Sequence, residues 1–160
     1  MTSQSSCKEN TIDLTECIEQ AVAFGQAGYT CAESVASAFA PVLGMATQDA
    51  RRVVSGLAGG MGGHGATCGT VTAAICMLGW YFGPKTQEDI LARHKVLGLT
   101  GEFMARYAER YGTTTCRELC TAGDPGTPEG GQAIRTSGMP LKFIRSAAEI
   151  LAELLRENKA

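Results

Sequence analysis

The chain has 160 residues, with 14 basic and 16 acidic side chains and a formal net charge of -2. That length supplies one domain with a real core, and the near-balanced charge excludes the strong electrostatic pull of a nucleic-acid or anionic-membrane binder. No apolar run is long enough to span a bilayer, and the polar start "MTSQSSCKENTIDLTE" has neither a basic n-region nor an apolar h-region, so a soluble cytoplasmic protein is expected.

Alternation with period two is absent, while helical spacing recurs along the chain. The expected fold class is therefore all-α: a single compact helical bundle forming one cysteine-rich domain over residues 1–160, with residues 1–10 as a flexible tail. Leu14, Cys17, Ile18, Ala21 and Val22 define a first helix near residues 11–27. Val35, Ala38, Phe39 and Val42 stripe a second over residues 31–43, which Pro41 bends or shortens. A short helix is expected over residues 47–57, with Thr47 as its cap. Six glycines within residues 56–65 then demand a loop. Residues 68–82 are apolar nearly all round and predict a buried central helix, ended by Gly83-Pro84. Residues 87–111 read as one or two helices, broken near "LGLTG", with Phe103, Tyr107 and Tyr111 at steps of four. A short helix follows at residues 116–120. Residues 121–140 read as an exposed Pro/Gly loop, and Ile144, Ala147, Ala148, Leu151, Leu154 and Leu155 stripe a terminal amphipathic helix.

Seven cysteines are many for such a chain, and the number is odd. Without a secretion signal, metal binding, redox chemistry or core filling is favoured over a disulfide framework. No C-x-x-C or C-x-x-C-H occurs, which weakens zinc-ribbon, thioredoxin, ferredoxin and c-type haem readings. Three cysteines follow a threonine: Cys31, Cys68 and Cys116. Thr30-Cys31-Ala32-Glu33 and Thr115-Cys116-Arg117-Glu118 fit the capping box, and Thr67-Cys68 supplies a cap without the reciprocal Glu. Each cysteine is thereby expected at the first helical position, where orphan N–H groups and the helix dipole favour the thiolate. Cys120 lies one helical turn beyond Cys116 on the same face. Cys17 and Cys76 sit on apolar stripes as core filler, and Cys7 lies in the polar tail.

The stretches "GYTCAESV" at Cys31, "TCGTVTAA" at Cys68 and "YGTTTCREL" at Cys116 resemble, in order and spacing, the C_GCAxxG_C_C family of redox-active proteins. The likeness runs from about Ala27 into the terminal helix and extends to a domain of split-Soret cytochrome c. It implies an iron–sulfur cluster, of a type the resemblance does not specify, on four cysteines. Two departures stand out: an Ala replaces the second Gly of the central motif, and "SGMPLKF" lacks the family's last cysteine. The candidate metal set is Cys31, Cys68 and Cys116 with Cys120 as replacement donor. His64, Met139 and an open position compete for that place.

Gly60-Met61-Gly62-Gly63-His64-Gly65 matches G-x-G-x-x-G, but no strand precedes it and no P-loop lysine follows, so the nucleotide reading is weak. Two alternatives remain open: Gly60, Gly62, Gly63 and Gly65 bring N–H groups to an anionic cofactor, or they permit tight helix packing. His64 is a ligand, a proton donor or an exposed loop residue, and His94 a surface residue. No Ser-His-Asp set or paired carboxylates emerge from the spacing. The leading expectation is a redox or electron-transfer protein binding an iron–sulfur cluster. It would exchange electrons with a partner protein or small carrier, without nucleic acid or membrane, and a homo-dimer is possible. A metal-free thiol–disulfide protein or sensor and a structural zinc adaptor are the alternatives, and whether a substrate is turned over stays open.

Overall fold

The structure is a computed structural model that describes residues 13–159. Cys7 and the tail expected at residues 1–10 lie outside the described residues. Eight α-helices and no strand occur among the described residues: α1 (Leu14–Gln26), α2 (Cys31–Phe39), α3 (Thr47–Val54), α4 (Gly69–Phe82), α5 (Ile90–Tyr111), α6 (Cys116–Leu119), α7 (Pro128–Thr136) and α8 (Met139–Asn158). Short 3-10 turns at Pro41–Leu43 and Ser55–Leu57 extend α2 and α3. Ala58–Met61 is a distorted turn, with Gly59 and Gly60 in left-handed conformation. None of these helices is long and apolar enough to cross a membrane.

The fold is all-α, as the periodicity predicts. Helix α2 lies at its middle, packed against α1, α3, α4 and α8. Seven of its nine residues are buried, and five of these are Ala or Ser, whose small side chains let neighbouring helices approach closely. Helix α4 is buried through Leu78 and then emerges, leaving Trp80 and Tyr81 exposed at its end. The terminal helix α8 lays Ile144, Ala148, Leu151 and Leu155 against α1, α2, α4 and α5. Arg106 and Arg110 of α5 reach Glu149, Glu153 and Glu157 of α8, an exposed ion-pair ladder of modest energetic weight.

Several expectations change in detail. Residues 90–111 form one unbroken helix. Gly98 and Gly101 lie on the exposed face, where an added Cβ would meet open space, and the buried stripe Leu99–Phe103–Tyr107 continues beneath them. Thr47 is the first helical residue of α3 and Ala46 the cap. The expected exposed loop at residues 121–140 is corrected: it contains α7. Thr127 caps that helix by accepting from the Gly130 amide, Pro128 occupies its first turn, and Ile134 is buried.

Candidate metal centre

The four candidate cysteines arrive from three helices. Cys31 is the first residue of α2, and its capping box forms in full. The Glu33 amide donates to Thr30 Oγ1 at 3.3 Å, and the Thr30 amide donates to Glu33 Oε2 at 3.0 Å. The other two Thr-Cys pairs behave differently. Thr67 and Thr115 form an antiparallel bridge. The Cys68 amide donates to the Thr114 carbonyl at 2.8 Å, and the Cys116 amide to the Ala66 carbonyl at 2.6 Å. Neither threonine hydroxyl caps a helix, and Glu118 turns away to accept from Thr113. Cys68 is therefore the N-cap of α4, not its first residue as expected, because the bridge holds its backbone extended. Cys116 does begin α6. That helix ends at once, and Cys120 is its C-cap, with an amide that donates to the Cys116 carbonyl at 2.8 Å.

Two glycines make the convergence sterically feasible. Gly60 has φ +66°, and a Cβ there would lie 2.6 Å from Cys116 Cβ and 2.7 Å from the Ala66 backbone. A Cβ on Gly69 would lie 2.7 Å from Cys31 Sγ. Neither position admits a side chain without displacing a cysteine-bearing segment. Arg117 holds the arrangement from outside, donating to Asp124 at 2.8 Å and to the His64 carbonyl at 3.4 Å.

The four thiols influence one another: Cys68 interacts with both Cys31 and Cys116, and Cys116 also with Cys120. Cys68, Cys116 and Cys120 are buried and Cys31 is half-buried. Cys68 is held well below the usual thiol range, first by hydrogen bonds from Cys116 and Cys31 and further by Thr70, against the opposing effect of burial. The Thr70 hydroxyl lies 3.2 Å from its sulfur. Cys31 is pushed up by its bond to Cys68 and by burial, with the Gly59 amide pulling the other way. Cys116 is raised, chiefly by donating to Cys120, and Cys120 is lowered by accepting that bond. Cys17 and Cys76 stand apart. Cys17 is buried and Cys76 packs against the core from a half-buried position, and desolvation raises both.

All four thiols line a cavity of about 730 Å³, together with Gly59, Gly62 and Gly63. Gly60 and Gly65 do not line it; they serve the packing of Cys116 and Arg117. His64 is exposed, turns Nδ1 to the Met61 carbonyl at 3.1 Å and does not line the cavity. His94 is exposed. The "SGMPLKF" segment does reach the cavity, through Gly138, Pro140, Leu141 and Phe143, whereas Met139 lies outside its lining. Sequence reasoning missed Gly69, Thr70 and Tyr107. The fully buried Tyr107 places its hydroxyl 3.3 Å from Thr70 Oγ1, which links it to Cys68. The four-step spacing of aromatics on α5 was the available signal.

No three His, Cys, Asp or Glu side chains among the described residues are grouped so that they could hold a single metal ion. The donor set still suits a polynuclear group by its chemistry: four soft sulfur donors, mostly desolvated, at the wall of one cavity and served by the Gly59 amide. A mononuclear zinc site would need its donors arranged tetrahedrally about one point.

A helical domain with four thiols from three helices along one cavity defines a cysteine-centred class of protein. Residues 29–154 match the C_GCAxxG_C_C family, described as "Putative redox-active protein", and the chain belongs to that family. No curated protein and no solved structure matches it.

Proposed function

We propose that this redox-family protein carries an iron–sulfur cluster on Cys31, Cys68, Cys116 and Cys120 and transfers electrons to a partner protein or small carrier. The observation that carries the reading is the gathering of four thiols beside one cavity, with Gly60 and Gly69 cut back to admit two of the segments. When bound, such a cluster supplies reversible one-electron chemistry. The chain's own part is to desolvate the sulfurs, to hold Cys68 as a ready thiolate through Thr70 and its thiol neighbours, and to aim the Gly59 amide at Cys31.

Anaerobic reconstitution tests this. The expected product is brown protein with visible charge-transfer absorption, carrying iron and acid-labile sulfide in near-equal amounts. Colourless, iron-free protein overturns the reading. A second reading, metal-free dithiol chemistry, is favoured by the interaction of Cys31 with Cys68 and of Cys116 with Cys120 at one cavity wall. Each pair could be oxidised to a disulfide by an external disulfide acceptor, releasing two thiols from that acceptor. Peptide mapping after mild oxidation would find Cys31–Cys68 or Cys116–Cys120 cross-links if this is the chemistry in use.

A further inference from the structure

We infer that the part of the cavity beyond the thiols is a binding site for a small organic monoanion with an apolar body, its charged group on Arg135. The inference deepens the redox reading and rests on it for location, since it names the class of molecule brought beside the thiols.

The cavity, about 730 Å³, falls in the ~300–1,000 Å³ range of small-molecule sites. Part of its wall comes from α7 and α8, through Ile134, Leu141, Phe143 and Ile144, and Tyr29 from the α1–α2 turn also lines it. Most polar side chains in the lining are already engaged. Thr30 is bound to Glu33, Ser55 donates to the Arg52 carbonyl, and Thr136 donates to carbonyls of its own helix. Thr70 is shared between Cys68 and Tyr107. A ligand entering this space therefore meets apolar surface and thiols, and a charge carried deep into it would lose hydration without compensation.

Arg135 supplies the charge in the lining. It is the one Lys, Arg, Asp or Glu in the lining, it is exposed, and it makes no salt bridge among the described residues. Among the described residues its only side-chain partner is Gln132 Oε1 at 2.7 Å, which leaves guanidinium N–H groups available for a carboxylate-like group. Exposure places that charge toward the opening, so the apolar body would lie inward, toward the thiols.

The test uses a matched pair of probes, 4-phenylbutyrate and its neutral amide. Both are titrated calorimetrically into the reduced full-length protein, before and after cluster loading. The carboxylate is expected to bind and the amide to bind more weakly. Arg135→Gln should weaken the carboxylate about tenfold, the scale of one charge-assisted hydrogen bond, and leave the amide unchanged. Leu141→Trp, which fills the wall, should weaken both. If that variant fails to fold, the exposed Arg135→Gln decides alone. Absence of binding by both probes, or carboxylate affinity indifferent to Arg135→Gln, overturns the inference. Carboxylate binding by protein that never takes up iron supports the site and removes the cluster reading instead.

Discussion

The same dipeptide does two different jobs in this molecule. At α2, Thr30-Cys31 is a helix start in which every partner lies within four residues, and the threonine hydroxyl and Glu33 close on each other locally. At Thr67-Cys68 and Thr115-Cys116 the hydroxyls do no capping, and the two backbones bond to each other across the fold. Both solutions bring a cysteine to a helix end, but the first needs only local sequence and the second needs two distant segments to meet. Cysteine placement here is thus decided half by helix chemistry and half by a scrap of β-pairing in an all-α protein.

The largest effect expected is on iron. Cys31→Ser and Cys116→Ser should each abolish full cluster loading, whereas Cys76→Ala and Cys17→Ala should retain it at a cost of about 1 kcal/mol in stability. Iron and sulfide per chain, read beside a urea melt, check both halves. Cys120→Ser is the sharper member of the series: undiminished iron with an unchanged spectrum would reduce the site to three cysteines.

Next in size is Gly60→Ala. The new Cβ would meet Cys116 Cβ at 2.6 Å in a left-handed backbone, so a loss of about 2–4 kcal/mol is expected in denaturant unfolding. A neutral result would mean that the bridge side of the comparison is loosely built. The direct test of the comparison is smaller. Thr30→Ala should cost about 1 kcal/mol, because a cap is lost. Thr67→Ala and Thr115→Ala should stay within about 0.5 kcal/mol, because the bridge is held by backbone bonds from the Cys68 and Cys116 amides and not by the threonine side chains. Equal losses at all three threonines would erase the distinction.

The smallest effect lies in pH. Asp13 caps α1 by accepting from the Thr15 amide at 2.8 Å, and that bond holds its carboxyl below the usual range. A carboxyl depressed on folding stabilises above its unfolded pKa of ~3.9, and that contribution fades as pH falls through the lower folded value. The stability gap between the wild type and Asp13→Asn should therefore narrow as unfolding is measured from pH 5 downward. A gap that stays constant would show that the cap works without its charge.

Much of the fold was legible because it rests on local pattern. The stripes of α1, α2, α4, α5 and α8, the stop at Pro41 and the cap at Thr30 all follow from neighbours within a turn or two. What escaped depends on distance or on masking. The Thr67–Thr115 bridge leaves no periodic trace, so Cys68 was read one position too far into its helix. Helix α7 hides behind Gly130 and Gly131, although Thr127-Pro128 carried a start signal. The candidate cysteines stand out in the sequence through the repeated Thr-Cys pair and the four-residue step to Cys120, while the room made for them by Gly69 depends on α2 lying against the start of α4.

The bridge also sets a schedule. Cys68 leaves the ribosome well before Thr114, whose carbonyl accepts its amide hydrogen bond, and Cys116, whose amide donates to Ala66, have been made. Until that later segment emerges, the nascent chain displays early thiols with no enclosure around them, and domains complete themselves only as synthesis proceeds from the N-terminal side. Enclosure of the thiols is thus the closing act of this protein's biosynthesis. Any cell that makes it must keep the early cysteines reduced for as long as translation of the intervening helices takes.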